Sequence, residues 1–512
     1  MSRERVLIVG GGIGGLTAAV DLAARGAQVT VLERAAAPGG KMREIAVGDA
    51  RIDGGPSVFT MRWVFDELMA AAGTTLEREV GLLRAELLAR HAWSETERLD
   101  LFADVERSQD AVAAFAGPEE GRRFRAFCDR SRDIFRTLEH PFLRNSRPNP
   151  VSLASRVGFG RLGALMRLAP FSTMWSALGE SFADPRLRQL YGRYATYCGS
   201  SPFSAPATLM LVAHVEQDGV WLVQGGMYRL AEALARVATR LGAEIRCDCE
   251  VAEITTAGGA VDGVRLATGE RLGAEAVVVN ADAGAVGAGL FGPAVARAVA
   301  PVRPRARSLS ALVWTLVGRT RGFPLVRHNV FFSRDYAGEF DRIFRQRRLP
   351  EEPTVYVCAQ DRADDPIAGD APERLLILVN APADGDTRPL EPAEMTACQD
   401  RMIHLLGRCG LTVEIDPRRC VTTTPQDFAS LFPATGGALY GRASHGWLAS
   451  FRRPDARTRI PGLYLAGGSI HPGPGVPMAA LSGRLAARSV LSDLVSTSPS
   501  RRAAMPGGIA TR

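Results

Sequence analysis

Glycines near the start of the chain are the first residues that could do chemistry. Gly10, Gly12 and Gly15 meet a G-x-G-x-x-G pattern between a buried-strand pattern at residues 5–9 and a helical pattern at residues 16–25. In such a unit the first glycine permits a tight turn, the second lets the backbone approach a pyrophosphate, and the third lets the helix pack on the sheet. The helix N-terminus then faces the negative charge. The sequence therefore predicts a nucleotide-binding strand-helix-strand unit.

Glu33 ends the second strand of this unit, about 20 residues beyond the first glycine. Its carboxylate can accept hydrogen bonds from a ribose diol and would repel the 2′-phosphate of NADP, which leaves NAD and FAD. Two later loops, residues 38–41 and 53–57, favour FAD because their glycines let the backbone approach a bulky, flat cofactor. Lys41 can reach the phosphates or the ring edge of that cofactor.

A third loop near the C-terminus completes the candidate cofactor site. Residues 466–478 change from a strand into a Gly/Pro loop that opens a helix, with Pro477 near the first helical position. A helix N-terminus aimed at the flavin pyrimidine would stabilise the anionic reduced ring and favour hydride acceptance. The alternative is a rigid turn without a ligand.

Composition limits the other classes of function. The 512 residues are 46% hydrophobic and 23% charged, with a formal net charge of +7, and no apolar run reaches the ~20 residues that span a bilayer. No basic tract interleaved with aromatic residues appears, so we expect no nucleic-acid partner. Eight scattered cysteines without a C-x-x-C pair, and no secretory signal, favour a reduced cytoplasmic protein. The histidines show no metal-ligand spacing, so no metal is expected.

The pattern along the chain predicts a discontinuous cofactor domain. Strand and glycine patterns assign residues 1–75, 215–290 and 435–494 to an FAD-binding domain. Helical, Arg- and Phe-rich stretches and further strands assign residues 76–214 and 291–434 to a substrate-binding domain, with a helical part that faces the membrane. The Ser/Pro/Gly-rich tail, residues 495–512, is expected to be disordered.

Three segments carry a resemblance to a known family. Residues 55–66, 436–447 and 471–483 resemble the FAD-dependent carotenoid desaturases of the bacterial phytoene desaturase type. Within that group they look most like the hydroxycarotenoid 3,4-desaturases, also called methoxyneurosporene dehydrogenases. The resemblance implies an α/β fold in which a Rossmann-type, amine-oxidase-like FAD-binding domain carries an inserted α+β domain for substrate and membrane.

The resemblance also assigns cofactor contacts by position. The residues expected to bind FAD beside the three glycines are Glu33 (ribose), Lys41 (diphosphate or flavin edge), Gly55 in its loop, Ser57 and Val58 (flavin), Val251 (adenine, through its backbone), Asn280 (phosphate region), and Gly468, Val476 and Met478 (flavin).

The activity implied is insertion of a 3,4 double bond into 1-hydroxy or 1-methoxy acyclic carotenoids, in photosynthetic bacteria. The flavin takes a hydride, and the polyene delocalises the developing positive charge, so no strong base is obligatory. Oxygen or a quinone would accept the electrons. His471 is a candidate for proton transfer or substrate orientation, with a hydrogen bond that fixes the loop as the alternative. Arg62 and His445 are candidates for recognising the hydroxyl or methoxyl group at the end of the substrate, with surface or structural roles as the alternative.

A carotenoid substrate dissolves in the bilayer, so membrane contact is expected. Residues 142–174 combine arginines (Arg144, Arg147, Arg156, Arg161 and Arg167) with Phe, Leu, Met and Trp, which is typical of an interfacial patch. An ordinary amphipathic surface is the alternative. The expected location is peripheral, on the cytoplasmic side of the inner membrane. Alternative functions are a phytoene or neurosporene desaturase, a carotenoid isomerase, or a lipid-binding escort protein without flavin.

Overall fold

A computed structural model describes residues 4–157, 171–363 and 371–497. Its strands, in chain order, are β1 (Arg5–Val9), β2 (Gln28–Leu32), β3 (Glu44–Val47), β4 (Ala50–Asp53), β5 (Leu82–Arg84), β6 (Leu87–Ala92), β7 (Arg98–Phe102), β8 (Trp221–Val223), β9 (Glu244–Arg246), β10 (Val251–Ala257), β11 (Ala260–Leu266), β12 (Arg271–Gly273), β13 (Ala276–Val279), β14 (Ser310–Gly318), β15 (Thr320–Gly322), β16 (His328–Phe331), β17 (Val355–Ala359), β18 (Glu373–Ala381), β19 (Leu411–Val413), β20 (Cys420–Thr423) and β21 (Leu463–Leu465).

The α-helices, in chain order, are α1 (Ile13–Ala23), α2 (Trp63–Ala71), α3 (Leu76–Glu79), α4 (Val105–Ala116), α5 (Pro118–Leu138), α6 (Pro150–Val157), α7 (Met174–Ser181), α8 (Pro185–Gly192), α9 (Leu211–Asp218), α10 (Tyr228–Arg240), α11 (Ala283–Gly287), α12 (Pro293–Ala296), α13 (Tyr336–Asp341), α14 (Pro392–Arg408), α15 (Pro425–Leu431) and α16 (Val476–Thr497).

A five-stranded parallel sheet carries the N-terminal glycine turn. Its strand order is β21-β13-β1-β2-β9, and every neighbouring pair runs parallel. The strand order reverses around β1, and ligands of such sheets bind beyond the carboxyl ends of the strands at that point. The predicted Rossmann-type unit is therefore present, and its strands come from three separate stretches of the chain.

Helix α1 is buried along its whole length, packed against α10 and α16. A side chain on Gly15 would place its Cβ 2.2 Å from the carbonyl oxygen of Gly10. The close approach of α1 to the end of β1 therefore requires glycine at this position, as the pattern predicted.

A seven-stranded sheet forms the second layer, in the order β20-β14-β18-β17-β16-β6-β7. Its neighbouring strands are antiparallel except β16 and β6, which run parallel. One face packs on α14 through buried residues such as Trp314, Ile377 and Met402. Since side chains alternate along a strand, the intervening residues point to the opposite face.

Helices α4, α5 and α7–α9 form a helical layer that shares a hydrophobic core with Trp93, Val330 and Phe332 of the second sheet region. Residues 158–170, which include Arg161 and Arg167 of the expected interfacial patch, lie outside the described residues. So does the predicted tail beyond Thr497, although α16 continues past residue 494. Within the described ranges, no helix has both the length and the apolar character needed to cross a bilayer.

The Gly15 contact gives a direct test of this packing. We expect Gly15→Ala to lower the thermal unfolding midpoint and the FAD retained on purification, because overpacking of this kind costs about 1–3 kcal/mol. Gly407→Ala is the matched control: Gly407 lies in α14, and an added Cβ meets nothing within 4 Å, so this change should be neutral or stabilising by about 0.5–1 kcal/mol. Equal midpoints for the two variants would contradict the packing argument.

Candidate active site

One large cavity joins the two sheets. Its volume is about 1140 Å³, above the roughly 300–1,000 Å³ of typical small-molecule sites. Residues of the glycine turn and the C-terminal loop line one part of it, and apolar residues of the helical layer and the seven-stranded sheet line the rest. The cavity therefore has a polar end suited to a nucleotide and an apolar extension suited to a lipophilic molecule.

The polar end is built where parallel strands end. Gly10 follows β1, Glu33 follows β2, Asn280 follows β13 and Ala466 follows β21. Because these strands are parallel neighbours, their carboxyl ends meet at one edge of the sheet. Each residue expected to bind FAD lines the cavity there, with Gly15 as the exception: Gly10, Gly12, Glu33, Lys41, Gly55, Ser57, Val58, Val251, Asn280, Gly468, Val476 and Met478.

The Asn280 side chain sits among the glycines of this edge. Its Nδ2 donates to the carbonyl oxygen of Gly10 at 3.2 Å. A Cβ on Gly12 would lie 2.8 Å from Nδ2, and one on Gly14 would lie 2.6 Å from Oδ1. Asn280 thereby ties the glycine turn after β1 to the carboxyl end of the neighbouring strand β13. It also lines the region where the phosphates are expected.

Two charged side chains flank the turn. Glu33 Oε2 accepts from the backbone N–H of Gly11 at 2.6 Å, which fixes the carboxylate beside the glycines. Lys41 Nζ donates to the carbonyl oxygen of Leu439 at 2.6 Å, within the segment 436–447 that carried the family resemblance. Burial lowers the pKa of Lys41, while the nearby Asp282 opposes that shift.

The groups at this end fit FAD. Helix α1 begins without a side-chain cap and without an acidic residue in its first turn, so its first N–H groups are available to an anion. Arg43 lines the cavity, and its buried Nη2 has no hydrogen-bond partner among the described residues. A phosphate group supplies the acceptor that these donors need.

The apolar part of the cavity is defined here by its lining residues between 138 and 216 and between 313 and 380. Strand alternation builds one wall: Val313, Val330, Leu376 and Leu378 face the cavity, while their strand neighbours pack towards α14. Leu138, Leu143, Leu209, Val212 and Val215 from the helical layer form the opposite wall. Such a lining excludes water and favours a hydrocarbon chain.

A hydrogen-bonded chain of three side chains lies along this wall. Ser57 Oγ and Tyr356 Oη are 2.7 Å apart, and Tyr356 Oη lies 2.7 Å from His328 Nδ1. Burial lowers the pKa of His328 to about 3, so the imidazole is neutral and shares one hydrogen bond with the Tyr356 hydroxyl. These two hydrogen bonds fix Ser57 relative to the second sheet.

His471 does not line the cavity, which does not support its assignment to proton transfer. Its buried Nε2 donates to the carbonyl oxygens of Phe142 and Asn145, each at 2.9 Å. Burial lowers the pKa of His471, and its ring contacts Phe142 edge-on. These contacts give the residue the alternative role, in which it ties the C-terminal loop to the end of the helical layer.

Arg62 and His445 are also absent from the cavity lining. Arg62 forms ion pairs with Asp66 and Glu77 beside α2. His445 Nε2 accepts from the backbone N–H of Ser201 at 3.1 Å, and burial lowers its pKa to about 4. Both side chains thus have structural partners, and the geometry does not support the expectation that they contact the substrate.

No sequence pattern indicated the polar residues of the apolar wall, among them Arg193, Tyr197, Glu216 and Tyr356. They belong to no short motif, and Tyr356 is far from the other three in the chain. The available signal was weak: Glu216 stands four residues after Val212 on a helix whose neighbouring positions are apolar, a spacing that places both on one face.

A Rossmann-type sheet with an uncapped glycine turn, joined by one cavity to a second sheet, is the architecture of the amine-oxidase-like flavoenzymes. The class is that of FAD-dependent oxidoreductases. The family model described as flavin containing amine oxidoreductase matches residues 13–491, and the chain belongs to this family, with FAD as its cofactor.

Curated relatives and solved structures agree with this membership. The chain is 55% identical to "Hydroxyneurosporene desaturase" of Rubrivivax gelatinosus over 99% of this chain and 97% of the relative. It is 30% identical to "1-hydroxycarotenoid 3,4-desaturase" of a Flavobacterium species over 94% and 98%. Putrescine oxidase bound to putrescine is similar in fold, with a TM-score of 0.62 and 16% identity over 97% and 99%. The resemblance to the carotenoid desaturases is confirmed.

The Asn280 contact predicts a specific loss of cofactor affinity. Asn280→Asp keeps the shape of the side chain but replaces the donor to Gly10 by an acceptor and adds negative charge beside the phosphates. We expect FAD to bind about tenfold more weakly or worse, measured by titrating the apoprotein and following flavin fluorescence. Asn145→Asp is the control, because Asn145 makes the same type of bond, to the His140 carbonyl at 2.8 Å, away from this cavity. Unchanged affinity in Asn280→Asp would contradict the role given to Asn280.

Proposed function

We propose that the chain is an FAD-dependent carotenoid desaturase that introduces the 3,4 double bond into 1-hydroxy or 1-methoxy acyclic carotenoids, such as 1-hydroxyneurosporene. The observation that carries the proposal is the continuity of the cavity, in which the edge that suits FAD opens into an apolar channel lined by residues of the helical layer and the seven-stranded sheet. The names of the relatives supply the substrate class.

The reaction removes two hydrogens from adjacent carbons. Bound FAD supplies the hydride acceptor for such an oxidation. The chain's own residues would hold the cofactor through the glycine turn, Glu33, Lys41 and the C-terminal loop, which Arg453 fixes by donating to the carbonyl oxygens of Tyr440, Arg442 and Gly468. Oxygen or a quinone is the electron acceptor in this proposal.

The apolar walls have two tasks in this chemistry. They align the hydrocarbon chain along the channel, and they exclude the water that would quench a developing carbocation. The conjugated polyene delocalises the positive charge, so that a strong base beside the reacting carbons is unnecessary. The neutral His328 fits this requirement, because it fixes the Tyr356 hydroxyl without carrying a positive charge.

Product analysis tests the proposed activity. We expect the FAD-loaded protein, given phytoene, neurosporene and 1-hydroxyneurosporene separately in liposomes, to lengthen the chromophore of 1-hydroxyneurosporene alone. Chromatography and absorption spectra identify the products, and the apoprotein in the same liposomes is the control.

Each other result selects a different function. Conversion of phytoene or neurosporene would replace the proposal by an earlier desaturation. A product with an unchanged number of double bonds would favour an isomerase. A protein that carries carotenoid without retaining FAD would favour the escort protein.

We also propose that the mouth of the channel docks on a membrane surface. Phe171 is 71% exposed and Trp447 is 47% exposed, their rings contact edge-on at 5.4 Å, and both line the cavity. Val151, beside the lining residue Pro150, is 79% exposed. The exposed Arg147 donates to the Phe451 carbonyl nearby, which adds positive charge suited to anionic lipid. The cytoplasmic face of the inner membrane is the surface proposed.

Vesicle binding tests the docking surface. We expect the double variant Phe171→Glu, Trp447→Glu to reduce partitioning onto phosphatidylglycerol-containing vesicles about tenfold or more, because each aromatic ring loses its apolar burial and gains charge. The control is Ile403→Glu, since Ile403 is exposed to a similar extent, 41%, on α14 and does not line the cavity. Equal partitioning of the double variant and wild type in sedimentation assays would remove this surface from the proposal.

A further inference from the structure

Buried charge is concentrated at one place in the apolar part of the cavity. Among the described lining residues of that part, Arg193 and Glu216 are the charged ones, and they are only 7% and 4% exposed. Tyr197 lines the cavity beside them, and Tyr194 lies behind the lining. These four residues are called the Arg193 cluster below. A hydrocarbon channel has no need of such groups, because burying charge is costly.

Direct hydrogen bonds hold the cluster together. Tyr197 Oη donates to Glu216 Oε1 at 3.0 Å, and Tyr194 Oη donates to Glu216 Oε2. Arg193 Nη2 donates to Tyr197 Oη at 3.0 Å. The guanidinium also lies over the rings of Tyr194 and Tyr197, 5.7 Å and 5.1 Å from their centroids. The carboxylate is thus satisfied by two tyrosines.

The guanidinium is not satisfied to the same degree. Arg193 Nε is buried and has no hydrogen-bond partner among the described residues. A buried donor without an acceptor costs about 1–3 kcal/mol or more for a charged group. Because Arg193 lines the cavity, a molecule in the channel can bring an acceptor atom to its guanidinium group. That molecule needs an oxygen within an otherwise apolar body.

We infer that the Arg193 cluster is the subsite that binds the oxygen atom on the end group of the isoprenoid substrate. This inference rests on the proposed function. The Arg193 cluster takes the place of Arg62 and His445 as the group expected to bind that oxygen. Arg193 donates to the oxygen of either a tertiary hydroxyl or a methyl ether. Glu216 accepts a hydrogen bond from the hydroxyl, which the ether cannot donate.

The location of the cluster agrees with the chemistry. In a 1-hydroxy carotenoid, three single bonds of about 1.5 Å each separate the oxygen from C3, so its binding group must lie near the reacting bond. Gly199, two residues after Tyr197, packs against Tyr440, whose ring would lie 2.6 Å from an added Cβ. Leu439, the neighbour of Tyr440, accepts from Lys41 at the polar end of the cavity. The cluster therefore lies near the junction of the two parts of the cavity.

Two tyrosine variants form a matched test. Each hydroxyl donates to Glu216, but Tyr197 lines the channel and Tyr194 does not. We expect the wild-type holoenzyme to bind 1-hydroxyneurosporene more tightly than neurosporene. Tyr197→Phe and Arg193→Met should each reduce this preference about tenfold, whereas Tyr194→Phe should retain it. The dissociation constants are measured from the change in carotenoid absorption on binding, and kcat/KM ratios for the two substrates are measured in parallel.

Glu216→Gln separates the two oxygenated end groups. We expect this variant to weaken binding of the 1-hydroxy carotenoid relative to the 1-methoxy carotenoid, because only the hydroxyl donates to the carboxylate. Bound FAD, read from the flavin spectrum, verifies that each variant has folded. If Arg193→Met does not retain FAD, the comparison of Tyr197→Phe with Tyr194→Phe decides whether the Arg193 cluster binds the oxygen of the substrate.

The outcomes separate this inference from the proposed function. If folded Arg193→Met keeps the full preference for 1-hydroxyneurosporene over neurosporene, the subsite is overturned, even when 1-hydroxyneurosporene is desaturated. If Arg193→Met does not fold, a full preference in Tyr197→Phe overturns it. Loss of preference in Tyr197→Phe with retention in Tyr194→Phe supports the subsite even when the wild-type product shows a different desaturation. A wild type without preference for the oxygenated carotenoid also overturns the inference.

Discussion

The approach of Gly15 to the Gly10 carbonyl sets the position of helix α1 on the parallel sheet, and the polar end of the cavity depends on that position. A Cβ would reach to 2.2 Å from the carbonyl oxygen, so no other residue permits the same packing. Asn280 then donates to that carbonyl from the neighbouring strand. With the helix and the turn fixed, the uncapped N–H groups of α1 face the cavity, where an anionic ligand is stabilised.

The second sheet supplies the other half of the site by simple alternation. Residues such as Ile377 pack on α14, and neighbours such as Leu376 and Leu378 line the cavity. A single seven-stranded sheet thus stabilises the domain with one face and forms an apolar channel with the other. The Ser57–Tyr356 hydrogen bond connects this wall to the loop at the polar end, so the two sheets form one site.

Electrostatics divides the cavity into regions with different tasks. At the polar end, Lys41 and Arg43 are partly buried cations whose pKa values are lowered by loss of solvent, a cost that a bound phosphate offsets. In the apolar part, the Arg193 guanidinium keeps a donor that has no partner in the described part of the chain, within a hydrocarbon-like lining. A molecule that is apolar along its length and oxygenated near one end matches this distribution of charge.

The sequence by itself determined the cofactor unit, because its signals are local. Gly10, Gly15 and Glu33 occupy fixed positions around one strand-helix-strand unit, and their roles follow from backbone geometry over a few residues. Tertiary structure alone decided the rest of the site. His471, Arg62 and His445 carry side chains suited to chemistry, but packing gives each of them a structural partner, and none of the three lines the cavity. Tyr356, Arg193 and Glu216 carry at most a weak local signal. Arg193 and Glu216 lie on helical segments, Tyr356 lies on a strand more than a hundred residues further along the chain, and only the folded chain brings them to one channel.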